Sequence, residues 1–253
     1  NDVIISLLSD SKNRLWIGTY FGGLNLLEGS KITHYTHKTN NKSSIANNRI
    51  WSLFEDSRGI IWIGTLGGGV DSYNPENESF THYSGDSNDY IHSDFIYSIE
   101  EDNAGNMWFG CIYGVHVLNP YTKETTTYIN NPNLPNSISS NRISVVKKDT
   151  RGWMWIGTSD GLNLYNESTN TFRAFRREDG LPENDIMGLE CDSRGNLWIT
   201  TTNGLSNMII TDVNNLDFSF TFKNYNESDG LTGASYTERA TFITKEGHIL
   251  VGG

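Results

Sequence analysis

The stretch Leu15-Trp16-Ile17-Gly18-Thr19 decides the fold, because close copies of it recur along the chain. Four further copies and a degenerate sixth lie at Ile61–Thr65, Met107–Cys111, Met154–Thr158, Leu197–Thr201 and Ile249–Gly253. The tryptophans Trp16, Trp62, Trp108, Trp155 and Trp198 are therefore separated by 46, 46, 47 and 43 residues. Self-similarity at a period of about 45 residues is typical of a repeat architecture.

Each repeat unit contains four short segments with strand character. In the second unit these are Ile50–Glu55, Ile61–Thr65, Gly69–Tyr73 and Phe80–Tyr83. The turn Asp56-Ser57-Arg58-Gly59 joins the first two, with Asp able to bond its own backbone and Gly able to adopt positive φ. No segment shows a sustained helical period, so the pattern predicts four antiparallel strands per unit.

Four strands per unit at this period favour an all-β β-propeller, with five full blades and half of a sixth. A β-helix would use a much shorter repeat, and a sandwich would not repeat its sequence. The expected repeats cover residues 2–47, 48–93, 94–140, 141–183, 184–235 and, in part, 236–253. We expect the five repeated tryptophans to fill the gaps between blades, and the chain to be a segment of a larger, seven-bladed propeller.

The composition argues against several other functions. A net charge of −11 over 253 residues disfavours binding to nucleic acid or to anionic membranes. No apolar run approaches the roughly 18 residues that span a bilayer. Cys111, Cys191 and the scattered histidines match no metal or redox spacing. The carboxylates of Glu55-Asp56 and Glu100-Glu101-Asp102 fall at the repeated turns. The sequence therefore predicts no catalytic residue, no metal site and no cofactor.

Loops between second and third strands, and linkers between blades, should emerge on one face of the propeller. The long polar linkers 36–48, 84–94 and 129–141 are expected to give this face a variable binding surface. Aromatic rings beside Arg, Asn and Asp suit a sugar, whose C–H face stacks while its hydroxyls bond. The candidate ligand-binding residues are Tyr20, Phe21, Arg49, Trp51, Phe95, Tyr97, Tyr113, Arg142, Asp160, Asp185, Asn203, Glu238 and Arg239.

Two alternatives stand beside this interpretation. Any single Tyr or Phe of the set could serve inter-blade packing, and Arg49 and Arg142 could pair with nearby carboxylates. Trp51 is the strongest individual candidate, because it lies outside the repeated tryptophan position. His34 and His82 occupy equivalent fourth-strand positions and are expected at a surface strand site.

The repeat resembles the two-component regulator propeller repeat, as found in the periplasmic sensor region of Bacteroides-type hybrid two-component systems. The resemblance rests on Glu55-Asp56, Gly59, Trp62, Gly64-Thr65, Gly69-Val70 and Tyr73, and on the linker segments 136–141 and 179–184. It covers essentially the whole chain. Because the shared motif is structural, it transfers no ligand-contact residue.

In that family two seven-bladed propellers and an immunoglobulin-like domain form a periplasmic sensor of glycan fragments. A membrane helix, a histidine kinase and a response regulator follow. The resemblance implies a non-catalytic, oligosaccharide-sensing segment of an inner-membrane protein, in contact with the neighbouring propeller and the immunoglobulin-like domain. A structural or dimerisation propeller without ligand and a propeller carbohydrate-active enzyme remain the alternatives, and a homodimer is an open expectation.

Overall fold

The computed structural model describes residues 3–84, 90–233, 235–244 and 246–253. The linker expected over 84–94 therefore lies partly outside the described residues. The strands are β1 (Ile4–Ser9), β2 (Leu15–Thr19), β3 (Leu24–Glu28), β4 (Lys31–Tyr35), β5 (Ile50–Glu55), β6 (Ile61–Thr65), β7 (Val70–Asn74), β8 (Ser79–His82), β9 (Ile96–Glu101), β10 (Met107–Cys111), β11 (Gly114–Leu118), β12 (Thr125–Tyr128), β13 (Ile143–Lys148), β14 (Met154–Thr158), β15 (Gly161–Asn166), β16 (Thr171–Phe175), β17 (Ile186–Cys191), β18 (Leu197–Thr201), β19 (Gly204–Asn214), β20 (Asp217–Tyr225), β21 (Thr241–Ile243) and β22 (Ile249–Val251).

Consecutive strands pair into antiparallel sheets, as the repeat predicts. Five sheets have four strands in sequence order, β1–β4, β5–β8, β9–β12, β13–β16 and β17–β20, and β21 pairs with β22. The all-β class and the four-stranded blades are confirmed. The chain forms two compact units, one of residues 1–112 and 116–127, the other of residues 113–115 and 128–253.

A carboxylate in each first turn holds the repeated tryptophan of its blade. In the second blade, Asp56 accepts the backbone N–H groups of Arg58 and Ile60 and, at 2.8 Å, the indole N–H of Trp62. The same bond forms in the other four complete blades, between Asp10 and Trp16, Asp102 and Trp108, Asp149 and Trp155, and Asp192 and Trp198, at 2.9, 2.9, 3.1 and 3.3 Å. Aspartate therefore fixes the turn and the tryptophan together, whereas the sequence predicted only its role in the turn.

These bonds also explain how a buried carboxylate stays ionised. Asp10 is only 4% exposed. Burial opposes its ionisation, but N–H groups of Arg14 and Trp16 and the Arg14 guanidinium outweigh this cost, so the pKa of Asp10 lies below its usual value.

Trp16, Trp62 and Trp155 pack against the neighbouring blade of their own unit, as expected. Within the first unit, Trp16 packs with Ile61 and Ile63 of the next blade, and the ring of Trp62 lies 5.6 Å from that of Phe109. Within the second unit, Trp155 packs with residues of β17 and β18. Hydrogen bonds between turns add to this packing, since Ser57 donates its hydroxyl and its N–H to Glu101 of the next blade.

Each first strand contains a β-bulge close to its start. In each first strand one residue has no partner on the second strand. These bulged residues are Ile5 in β1, Trp51 in β5, Tyr97 in β9, Ser144 in β13 and Met187 in β17. The next residue then lies opposite a small residue of the second strand, as Ser52 lies opposite Gly64. A Cβ on Gly64 would collide with Ser52 Oγ and approach Ile96 Cγ2 to 2.8 Å, which explains glycine in the repeated Trp-x-Gly motif.

In the fifth blade the glycine of this pair lies in the first strand instead of the second. Gly188 of β17 lies opposite Thr200 of β18. A Cβ on Gly188 would approach Thr200 Oγ1 to 2.9 Å. Every such pair therefore contains one glycine, including the fourth blade, where Gly157 lies opposite Val145.

The outer hairpin of the fifth blade is longer than the repeat predicts. β19 has 11 residues and β20 has 9, whereas the sequence placed only 222–225 in the fourth strand. The additional length carries Phe218 against Trp153 and Trp155, with ring centroids 5.2 and 6.3 Å apart. The prediction was too short because it followed the four-residue pattern of the other fourth strands, although Phe218, Phe220 and Phe222 continue the alternating apolar spacing.

The bulge geometry makes Gly64 intolerant of a side chain. We expect Gly64→Ala to lower the free energy of unfolding by about 1–3 kcal/mol, the usual cost of overpacking, measured by urea denaturation. Ser52→Gly added to Gly64→Ala should recover part of this loss, because it removes the Ser52 hydroxyl. Gly233→Ala is the matched control, since no atom lies within 4 Å of its added Cβ. Equal stability of Gly64→Ala and Gly233→Ala would contradict the packing.

Candidate functional site

The predicted site residues lie at one end of the blades, where first strands begin and second strands end. Backbone N–H groups of the second-strand ends bond the carbonyls of Arg49, Arg142 and Asp185. Phe95 forms an isolated bridge with Leu66 at the equivalent place in the third blade. These four residues thus occupy one repeated position, which we call the rim, immediately before the first strand.

Two of the bulged residues are aromatic and contact each other. The rings of Trp51 and Tyr97 meet edge to face, with centroids 6.1 Å apart and an interplanar angle of 83°. A bulge re-aims the side chain it carries and recurs beside binding sites. Both residues are half-buried, so their rings are held in place while part of each remains accessible.

A second aromatic group surrounds Arg49. The rings of Tyr20 and Phe21 meet edge to face with centroids 4.4 Å apart, and the Arg49 guanidinium carbon lies 5.9 and 5.1 Å from them. Phe21 is 55% exposed, and Arg49 is exposed. Together Tyr20, Phe21, Arg49, Trp51, Phe95 and Tyr97 form what we call the aromatic rim of the first unit.

The loop that carries Tyr20 and Phe21 is fixed by the last residue of the repeated motif. Thr19 donates its hydroxyl to the Gly23 carbonyl at 3.0 Å and accepts the Gly22 N–H at 2.9 Å. Thr65, Thr158 and Thr201 repeat the bond to a glycine carbonyl. Cys111 takes this position in the third blade, where burial raises the pKa of its thiol to about 12.

Two blade-to-blade linkers share the same pattern of side-chain hydrogen bonds. In the first linker, Asn48 Oδ1 accepts the His37 N–H at 2.7 Å and Ser44 Oγ accepts the Lys38 N–H at 2.9 Å. The linker ending at Asn141 repeats both bonds, with Asn130 N–H at 2.7 Å from Asn141 Oδ1. Ile45 and Ile138 are buried in the two linkers. Each loop therefore delivers the following rim arginine in a defined position.

A buried carboxylate anchors the first linker. Asp71, which is fully buried, accepts the Ala46 N–H at 2.7 Å and bonds His82 Nδ1 at 2.6 Å, while His82 Nε2 lies 2.8 Å from the Lys42 carbonyl. The Asp71 hydrogen bond and charge raise the pKa of His82, while burial raises the pKa of Asp71 against the effect of His82. His82 is therefore a structural residue that faces a buried partner, unlike His34, which is exposed as expected.

The second unit carries an ion-paired group at its rim. Arg142 Nη2 donates to Glu238 Oε1 at 2.6 Å. Burial, with the nearby charges of Glu238 and Glu183, raises the pKa of Asp185 against the effect of Arg142. Burial lowers the pKa of Arg239 to about 10. The structure thus brings Arg142, Asp185 and Glu238 together, and Arg142 pairs with a carboxylate, which is the alternative to ligand binding that the sequence left open.

Three other predicted residues lie apart from these groups. Asp160 pairs with Arg176 at 3.0 Å and accepts from Asn184 at 3.4 Å, so its carboxylate is occupied. Tyr113 is 63% exposed, and Asn203 is exposed with its N–H on Thr201 Oγ1. Over the described ranges, neither makes a ring contact or side-chain hydrogen bond with another predicted site residue.

Sequence reasoning missed the bulges and the asparagines that close the linkers. The recurring Asn-Arg-Ile, at 48–50 and 141–143, was the available signal. Within the part of the chain that the structure describes, no three His, Cys, Asp or Glu side chains could share a metal ion. The same part holds no helix with the length and apolar character of a membrane span.

The four-stranded blades define the chain as a β-propeller. The sequence profile described as two component regulator propeller matches residues 1–21, 44–67, 90–113, 137–160 and 180–203, one match in each complete repeat. The chain therefore carries five two component regulator propeller repeats. No curated protein shows significant similarity to it.

Solved structures share the fold. The extracellular domain of BT3049 from B. thetaiotaomicron, assigned as a hybrid two component system, is 25% identical with a TM-score of 0.82; the similarity covers 100% of this chain and 32% of that one. The extracellular domain of BT4673 from the same organism is 24% identical with a TM-score of 0.52, covering 98% and 34%. Virginiamycin B lyase from Staphylococcus aureus is 16% identical with a TM-score of 0.67, covering 98% and 83%. The chain thus spans about a third of the two extracellular domains, and the lyase shows only that the fold is shared.

The His82–Asp71 pair predicts a pH-dependent contribution to stability. Because the pKa of His82 is raised above its usual 6.5, its stabilisation is complete below about pH 6.5 and declines as pH rises through the higher folded-state value. The difference in unfolding free energy between wild type and His82→Gln should therefore shrink from pH 6 to pH 8, measured by urea denaturation. His34→Gln is the matched control, because His34 bonds the uncharged Asn25 amide. A constant difference across this range would contradict the assignment.

Proposed function

We propose that this chain is the ligand-sensing propeller segment of a transmembrane hybrid two-component sensor, that it lies in the periplasm, and that it binds an oligosaccharide without catalysing a reaction. The proposal is supported by the family and by the likeness to extracellular domains from B. thetaiotaomicron. The neighbouring propeller and an immunoglobulin-like domain of the same polypeptide are its proposed partners. A histidine kinase elsewhere in that polypeptide would carry the signal.

The aromatic rim is the observation that carries the ligand proposal. Trp51 and Tyr97 present parts of their rings, and Phe21 presents most of its own, beside a cation. Rings of this kind stack on the C–H face of a sugar, and the fixed loops and bulges hold them without further ordering on binding. Preorganisation of this sort lowers the cost of association.

The ion-paired group of the second unit fits a supporting role better than a catalytic one. Glu238 is engaged by Arg142, and the Asp185 carboxyl has its pKa raised within a mixed group of charges. A propeller enzyme would use such carboxylates as a general acid or base or as metal ligands. The pairing of Glu238 with Arg142 favours binding over catalysis.

Calorimetric titration of the chain with a panel of neutral and acidic oligosaccharides tests the proposal. We expect saturable binding of at least one, and we expect Trp51→Ala to weaken that binding about tenfold through loss of about 1–1.5 kcal/mol of stacking. Tyr121→Ala is the matched control, because Tyr121 is 70% exposed and lies in the turn between β11 and β12. Absence of binding by any oligosaccharide to the folded chain, or equal binding by Trp51→Ala, would overturn it.

A further inference from the structure

Arg49 differs from most arginines of the described chain in the partners of its guanidinium group. Arginines with carboxylate partners are Arg14, Arg58, Arg142, Arg151, Arg176 and Arg177. Among the described residues, the Arg49 side chain makes no ion pair and no hydrogen bond, and its contacts are the rings of Tyr20 and Phe21. An unpaired guanidinium is notable in a chain whose net charge is −11.

The comparison with Arg142 sharpens this difference. Both arginines follow a linker-closing asparagine and precede the first isoleucine of a blade. Arg142 is neutralised by Glu238 at 2.6 Å. The same rim position therefore holds a paired cation in the second unit and a cation with unused N–H donors in the first.

The surroundings of Arg49 hold its backbone in one place. Its N–H donates to Asn47 Oδ1 at 2.9 Å and its carbonyl accepts the Leu66 N–H at 3.0 Å. Contact with the two rings stabilises the cation without using its N–H groups, because the attraction comes from the ring faces. Its five N–H donors are arranged in a fork that matches the two oxygens of a carboxylate.

We infer that the aromatic rim takes an acidic sugar, with Arg49 binding the carboxylate of a uronate residue and Phe21 stacking on its ring. This inference rests on the proposed function and names the ligand class of the same site. A uronate is ionised at neutral pH, so its carboxylate gains a charge-assisted bond that a neutral sugar lacks. Arg49 is then the residue that determines specificity, and the aromatic rings contribute to the binding of acidic and neutral sugars alike.

The test compares α-1,4-linked trigalacturonate with the neutral α-1,4-linked galactotriose, which lacks the carboxylates. We expect the chain to bind trigalacturonate at least about tenfold more tightly in low salt, and this preference to fall with added salt. Arg49→Gln should reduce the preference to about twofold or less, and Arg49→Lys should retain an intermediate preference because it keeps charge without the fork. Arg194→Gln, which removes an exposed charge in the Asp192 turn, should retain the full preference.

The outcomes separate this inference from the proposed function. Equal binding of the two trisaccharides, or an Arg49→Gln variant with an undiminished preference, overturns the uronate assignment and leaves oligosaccharide binding in place. If only neutral oligosaccharides of the wider panel bind, the uronate assignment is likewise overturned and oligosaccharide binding remains. Failure of every oligosaccharide to bind the folded chain overturns both.

Discussion

The hydrogen bond from the tryptophan indole to the turn aspartate is the interaction on which the rest of the structure depends. A buried carboxylate is costly unless several donors satisfy it, and each turn supplies two backbone N–H groups and one indole for this purpose. The bond fixes the turn between the first two strands and the orientation of the ring that fills the gap to the next blade. A single side chain thereby links local turn geometry to packing between blades, and its repetition along the chain keeps successive sheets alike.

The candidate site follows from this framework at the opposite end of the same strands. Each first strand accommodates one extra residue as a bulge, which lies two positions after the rim residue. The glycine of the Trp-x-Gly motif gives the bulged strand room against the next blade. The side chain at the bulge differs from blade to blade. Ile5, Trp51 and Tyr97 occupy this position in the first unit, whereas Met187 and the buried Ser144 occupy it in the second.

Sequence reasoning predicted the framework well because each of its elements repeats. The first strands Ile50–Glu55, Ile96–Glu101 and Ile143–Lys148 have the predicted bounds. It failed where a feature departs from the repeat or depends on register: the extension of β20 occurs in one blade only, and the bulges have no local signal. The hydrogen bonds within the linkers were missed because their polar side chains bond their own backbone, and composition alone cannot distinguish that from solvent exposure. Arg142 has an ion-pair partner because Glu238, far along the sequence, lies beside it. The sequence could not distinguish Arg142 from Arg49, because the two arginines occupy equivalent positions in their repeats.

Hydrogen exchange of the tryptophan indole N–H groups, followed by nuclear magnetic resonance, tests the framework most directly. If the aspartate bonds hold the blades together, the indole protons of Trp16, Trp62 and Trp155 exchange only when their sheets open. Their rates should then match those of the slowest backbone amides in β2, β6 and β14. Indole protons that exchange as fast as those of an exposed tryptophan, while the amides of these strands stay protected, would contradict the account.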